Sequence, residues 1–365
     1  MQATEKTDIA VFDIGGTYFR SAIWSRHGGL RSPRRQPAIN YLTTKHCDVL
    51  ELQEALVDFI IEEYESLERE GNLALFVAGL SIGAPVDARS GLVLKSGPLW
   101  GPHAKPFDLL ARLKQKRQGT FWAVGNDVTA AILRYVNDIK VPPCAKVLLI
   151  TVSTGIGARL YDFRRRAIPL DAANGLQGEI GHLPVEAVFR GQRLRYNCEC
   201  GGASHLNAYS SGRALDVLLR ELPDLARDAL GRSILAYAYA NGGATLDTRR
   251  QAFCSGVDEK DPLALEILDF LTRPLAGILA TILTHDPLVD AIVLTGGVVD
   301  GLQRAYVHSL NQQFMNCDMF HAIGTDHGYL SRRLRLAPAD DHGGLTGAGY
   351  LALAAARGRQ VYAFK

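Results

Sequence analysis

The sequence predicts an α/β protein built from two domains. Short apolar runs of strand character alternate with amphipathic helical patterns along the whole chain. Several of those runs end in glycine turns, and 365 residues are enough for two packed domains. No low-complexity linker interrupts the pattern, so a boundary is expected inside structured chain, near Ala130 to Asn137.

The elements follow in order. Ile9 to Phe12 is an apolar run that ends in Asp13-Ile14-Gly15-Gly16-Thr17, and a second run, Tyr18 to Trp24, follows at once. Strand, glycine turn, strand predicts a β-hairpin with a functional tip. Leu52, Leu56, Phe59, Ile60 and Leu67 recur at helical spacing, which predicts a helix over Val49 to Leu67. Strand-like runs recur at Leu73 to Ile82, Thr120 to Val124 and Lys146 to Val152, and a helical pattern, Val128 to Val136, begins just after Asn126-Asp127. Farther on, Ser211 to Leu222 reads as a helix and Pro262 to Thr284 as a longer, more apolar one. Ala291 to Thr295 is a buried-type strand ending in Gly296-Gly297, and a last helix, Thr346 to Ala356, follows a loop over Asp340 to Leu345.

Composition removes several classes of function. Lys and Arg total 40 against 38 for Asp and Glu, so the net charge of +2 predicts neither a nucleic-acid partner nor a membrane surface. Two short basic clusters, Arg31 to Arg35 and Arg164 to Arg166, read as solvated loops. The first residues lack a basic stretch followed by an apolar one, and no window is expected to reach the roughly 18 apolar residues of a membrane span. The expected location is cytoplasmic. Cys47, Cys144, Cys198, Cys200, Cys254 and Cys317 are too scattered for a disulfide framework. Only Cys198 and Cys200 lie close together, and in a reducing compartment such a pair suggests a metal.

The glycine turns have a clear physical use. Gly15 and Gly16 let backbone N–H groups approach phosphate oxygens, Thr17 adds a hydroxyl donor, and Arg20 follows shortly after. Asp13 would hold Mg²⁺, through water, because that ion dehydrates reluctantly. Ser153-Thr154-Gly155-Ile156-Gly157 and Thr295-Gly296-Gly297 repeat the arrangement, each directly after a strand. The P-loop pattern GxxxxGK[ST] is absent, and the first turn does not fit GxGxxG. Asn126-Asp127 ends a strand and opens a helix, so Asp127 reads either as a helix cap or as a carboxylate aimed into a cleft.

The series Asp-x-Gly-Gly-Thr, Asn-Asp, Ser-Thr-Gly-x-Gly, Gly178-Glu179-Ile180-Gly181-His182 and Gly-Gly resembles the sugar kinases of the ROK family, within the actin-like ATPase superfamily. The likeness runs from Asp13 to Gly347. It implies a two-domain actin-like (ribonuclease H-like) fold with an interdomain cleft: a smaller domain of residues 1–133 with 346–365, and a larger one of 134–345. ATP–Mg²⁺ is expected on the glycine turns, chiefly Thr154, Gly155, Gly157, Gly296 and Gly297 in the larger domain. Asp127 becomes the catalytic base, with Asn126, Glu179 and His182 on the substrate hydroxyls and Gly83 and Pro85 lining the pocket as backbone.

Relatives of this kind carry Cys-x-Cys-Gly-x-x-Gly-Cys and a fourth ligand from Gly-His. Here the third Cys position is His205, so the resemblance implies a structural Zn²⁺ held by His182, Cys198, Cys200 and His205, with Ser204 where Gly is usual. Asn207 stands where glucose-binding relatives place Glu, and Ser96-Gly97-Pro98-Leu99-Trp100-Gly101 replaces Pro-Asn-Leu with Gly-Trp. The expected reaction is phosphorylation of a hydroxyl, first of all a hydroxymethyl group, on a hexose-like polyol. A C7-cyclitol is an alternative to glucose, since changed polar groups redirect hydroxyl recognition. A sugar-responsive repressor is a further alternative, disfavoured because only twelve residues precede Asp13 here, too few for a DNA-binding segment, and a non-catalytic sugar-binding regulator is disfavoured by the intact Asp13, Asp127 and glycine turns. A homodimer is an expectation of the resemblance alone.

Overall fold

The computed structural model describes residues 4, 6–44, 48–72, 74–101, 103–138, 145–240, 245–317, 319, 322–338, 340 and 342–364. Cys47, Cys144 and Leu73, named above, lie outside them. The chain divides into two compact units: Met1–Pro143 with Arg159–Gln177 and Asp340–Lys365, and Cys144–Ala158 with Gly178–Ala339.

In the first unit the hairpin forms as expected, with Ile9–Ile14 antiparallel to Tyr18–Ser25. Val77–Ile82 and then Phe121–Asn126 add in parallel on the other side, and Gly29–Pro37 closes the opposite edge of a five-stranded sheet. Alternation decides which face each residue serves. Ala10, Phe12, Ile14, Ala78, Leu80 and Ile82 share a buried cluster with Leu52, Leu56 and Ile60 of the helix Val49–Gly71. Gly79 and Gly125 point the other way, toward the last helix, Gly343–Ala356. That helix is rich in glycine and alanine. Added methyls at Gly79 and Gly347 would strike the Ala348 and Ala130 carbonyls, and Trp24 meets Tyr350 edge-on with ring centres 4.9 Å apart.

The basic cluster Arg31 to Arg35 is a strand, not a loop: Gly29–Pro37 pairs with Tyr18–Ser25. Its charges are matched locally, Arg34 with Glu63 and Glu70 and Arg35 over the Tyr18 ring, as suits a solvent-facing edge. The last helix also starts earlier than its periodicity indicates, at Gly343.

The second unit centres on a four-stranded sheet in the order Leu334–Leu336, Val289–Thr295, Lys146–Val152, Ile156–Asp162, the last strand entering the first unit at Arg159. The helix Pro262–His285 is capped by Asp261, with Pro at its first turn, as helix starts favour. Contrary to the sequence expectation, it is long and apolar enough to cross a membrane. Most of its apolar window is buried within the unit, from Leu263 and Ile267 through Leu271, Leu275, Leu279 and Leu283, so it serves as a core helix.

Candidate active site

In the first unit the expected groups collect at the carboxyl ends of neighbouring parallel strands, where open α/β sheets bind ligands. Asp13 stands opposite Ser81, and Ile82 opposite Asn126. The Ser81 hydroxyl donates to Asp13 Oδ1 at 3.0 Å and Arg20 Nη1 to Oδ2 at 3.1 Å. Burial pushes the Asp13 carboxyl upward from its ordinary value, with Arg20 and Ser81 opposing that rise. Arg20, expected at a phosphate, is thus engaged with the carboxylate expected at the metal. A methyl on Gly344 would clash with Asp13, so the start of the last helix closes over this carboxylate.

The glycine tip is held from two sides. Gly15 N–H donates to Tyr18 O at 3.0 Å, and the Asn40 side chain donates to Gly16 O at 2.9 Å. A methyl on Gly16 would stand 2.5 Å from Pro98 Cβ, which explains the second glycine as a close approach. Thr17 is exposed at the tip.

The helix Asp127–Asp138 settles which of two adjacent residues caps it. Asn126 Oδ1 accepts from the N–H groups of Val128 at 2.8 Å and Thr129 at 3.2 Å, so Asn126 takes the cap role. Asp127 is exposed, while Asn126 is buried. Asp127 Oδ1 receives Asn126 Nδ2 at 2.8 Å and the Val128 N–H at 2.9 Å. Gly83 N–H donates to Ile14 O at 2.9 Å, and a methyl there would stand 3.9 Å from Asp127 Oδ2. Pro85 O accepts from Leu94 N–H at 2.9 Å.

In the second unit, two glycine turns end adjacent parallel strands, with Thr151 opposite Thr295. The first is tighter than the motif: Gly155 O receives the Ser153 N–H at 2.9 Å, while Ile156 and Gly157 already belong to the next strand. Thr154 is exposed. Gly296 has φ of +101°, and a side chain there would press on Val152 O. Gly297 opens the helix Gly297–Met315, whose first N–H groups suit an anion.

Glu179 precedes the short turn Ile180–His182. Asn207, which stands where glucose-binding relatives place Glu, engages the strand that follows the Ser153–Gly155 turn. Its Oδ1 accepts from Ile156 N–H at 2.6 Å.

The ligand atoms of His182, Cys198, Cys200 and His205 all lie within 4.8 Å of one another. Cys198 Sγ is 3.8 Å from His182 Nδ1, and Cys200 Sγ is 3.2 Å from His205 Nδ1. Two cysteines and two histidines are donors that a tetrahedral Zn²⁺ takes, so the donor set fits that ion. Burial pushes the Cys198 thiol up, and burial first, with His205 adding, pushes His182 down against Glu179. Ser204 has φ of +56°, the left-handed conformation for which a glycine is the usual residue.

Sequence reasoning missed Ser81, Asn40 and Gly344. Each comes from another part of the chain: strand pairing brings Ser81 to the motif, a side-chain hydrogen bond brings Asn40, and packing of the last helix brings Gly344.

Residues 9–355 match the model of the ROK family. Among curated relatives, the 2-epi-5-epi-valiolone 7-kinase of an Actinoplanes species is 36% identical over 95% of this chain and 93% of its own. The C(7)-cyclitol 7-kinase of Streptomyces hygroscopicus subsp. jinggangensis is 31% identical over 95% and 94%. The ROK family glucokinase of Streptomyces griseus, solved with glucose and AMPPNP, shares the fold with a TM-score of 0.68 at 20% identity, over 94% of this chain and 99% of that one. Fold and motifs define a two-domain α/β sugar-kinase architecture of the actin-like type. The chain belongs to the ROK family.

Proposed function

We propose that this protein transfers the γ-phosphoryl group of ATP to the 7-hydroxyl of a C7-cyclitol. Its class as a kinase of sugar-like alcohols rests on family membership over residues 9–355 and on its similarity to the cyclitol kinases. The observation that carries the chemistry is the delivery of Asp13 and Asp127 to the carboxyl ends of strands in one parallel array.

In this reading Asp127 accepts the proton of the attacking hydroxyl as its oxygen bonds to the γ-phosphorus and ADP departs. Asp13 holds Mg²⁺, which supplies charge neutralisation at the phosphates. Arg20 and Ser81 fix the Asp13 carboxylate for that task. The Gly15–Gly16–Thr17 tip, Thr154, Gly155, Gly157 and the helix start at Gly296–Gly297 offer backbone and hydroxyl donors to the nucleotide. Glu179 and His182 serve the acceptor. His182, Cys198, Cys200 and His205 hold a structural zinc that pins the loop carrying Glu179. A reaction that consumes ATP is read as cytoplasmic.

The cyclitol assignment is favoured over glucose by the altered acceptor residues. Asn207 accepts from the Ile156 N–H and is an amide, so the position that is Glu in glucose-binding relatives offers no carboxylate here. ADP release should be measured with 2-epi-5-epi-valiolone, glucose and N-acetyl-D-glucosamine. The cyclitol should give the highest kcat/KM, and preference for either hexose overturns the substrate assignment. Asp127→Asn should fold normally and lose about 10²-fold or more in kcat. Near wild-type turnover in that variant would remove Asp127 as the base.

A further inference from the structure

We propose that the first unit holds a second ligand site, a trough along the open edge of its sheet that takes a small phosphate monoester with an apolar body. Phe121–Asn126 is the edge strand: Val77–Ile82 pairs it on one side, and among the described residues no strand pairs it on the other. Main-chain groups alternate between the two sides of such a strand. The Phe121 N–H donates to Phe76 O at 2.8 Å, so the main-chain groups of Trp122 and Val124 face the open edge. A cavity of about 750 Å³ lies there, wholly within the first unit. That volume is ordinary for a small-molecule site. Trp122, Ala123 and Val124, all buried, form its floor. One wall comes from the helix Leu109–Lys116 and the other from the last helix with the residues after it. The lining stops at Val124 and includes neither Asn126 nor Asp127, so the trough is separate from the site at the carboxyl end of the strand.

Charge decides the sign of the ligand. Four cations and no carboxylate line the cavity. Arg89 is held by Asp87, and Arg117 by Glu65 and Glu68, so these two are spent on groups outside the lining. Lys114 and Arg359 are exposed, and among the described residues neither has an ion-pair partner. Two free cations, one from each wall, match a dianion, and a phosphate monoester is doubly charged at neutral pH. The rest of the lining sets the body of the ligand. Leu110 and Leu351 come from the two helices, and the rings of Phe121 and Phe364 are 44% and 43% exposed beside the cavity instead of packed. Uncovered rings of this kind mark a binding groove for apolar groups, and a bare polyol is a poor match to them. The floor adds one more donor. The indole N–H of Trp122 is buried without a hydrogen-bond partner among the described residues, and a bound oxygen would satisfy it.

The probe is phenyl phosphate, with inorganic phosphate and phenol as its two halves, added to protein whose nucleotide site is filled with AMPPNP–Mg²⁺. The thermal midpoint should rise saturably with phenyl phosphate and much less with either half, as binding to the folded state requires. The double variant Lys114→Ala, Arg359→Ala changes two exposed side chains outside the catalytic groups. It should keep wild-type turnover and bind the probe at least about 10-fold more weakly, the loss that removal of charge-assisted hydrogen bonds carries. Amide exchange at Trp122 and Val124 should slow when the probe binds. Absence of a saturable rise overturns the proposal, and so does equal affinity in the double variant. Inorganic phosphate as effective as the probe would leave the apolar walls without a role, phenol as effective would leave the cations without one, and either result overturns the proposal. Should the double variant not fold, exchange in the wild type decides: protection confined to residues outside 117–124 and 359–364 would place the probe elsewhere and reject the trough.

Discussion

Asp87 is a side chain whose work is done by hydrogen bonds to one neighbour. Arg89 donates to it through Nε at 2.9 Å, through Nη2 at 2.7 Å and through its backbone N–H at 3.0 Å. The Arg89 hydrogen bonds, against the opposing effect of burial, hold the Asp87 carboxyl down at about 2. A native value below the unfolded one, about 3.9, contributes stability that is complete above about pH 4 and is lost as pH falls toward 2. Urea midpoints of wild type and Asp87→Asn should therefore differ at pH 6 and converge near pH 2. A constant difference across that range would show that the pair contributes nothing through ionisation. At this scale the sequence was partly legible. Asp13, Gly15 and Gly16 could be named because a phosphate turn is local in the chain. Asp127 could be named, yet whether it or Asn126 caps the helix depended on which side chain turned inward. Asn207 was expected at the substrate because a motif position does not reveal what its side chain meets.

Among elements, legibility followed hydrophobic contrast. Lys146–Val152 and Pro262–His285 are apolar runs with clear edges, and the expected bounds nearly coincide with the observed ones. Gly29–Pro37 is two-thirds arginine, serine and proline, and it became a strand because Tyr18–Ser25 offered it a hydrogen-bonding edge. The helix Gly343–Ala356 was recognisable, but the reason for its glycines was not. They let it press against strand and helix backbones at Gly79 and Ala130. Gly347→Ala should consequently lower the thermal midpoint by several degrees, since its methyl meets the Ala130 carbonyl, a backbone atom that cannot rotate away. Overpacking of this kind costs about 1–3 kcal/mol. An unchanged midpoint would mean that the two helices separate at little cost.

On the scale of the whole molecule, the chain builds its first unit from three separate stretches, and the second from two. The sequence indicated that the C-terminus returns to the N-terminal unit. It gave no sign that residues 159–177 do so as well, because the excursion occurs in the middle of the strand Ile156–Asp162. The cluster of His182, Cys198, Cys200 and His205 belongs wholly to the second unit. Metal analysis of purified protein should find about one zinc per chain, at the four-ligand stoichiometry of a structural site. Cys198→Ser should lose it, and amide exchange should then rise over residues 178–207 while the strands Ile9–Ile14 and Val77–Ile82 keep their protection. A zinc-free chain with unaltered exchange in that loop would remove the metal from the account.

The last helix also dictates when the protein can first work. Synthesis delivers residues at roughly 5–20 per second, and domains commonly fold as they emerge. Here the sheet that begins at Ile9 keeps one face without its cover until Gly343–Ala356 leaves the ribosome. The carboxylates of Asp13 and Asp127 are therefore translated early and organised last. Until that helix emerges, the sheet face at Gly79 and Gly125 that it covers stays open. A chain cut before Gly343 keeps both acidic residues and lacks the helix start that closes over Asp13.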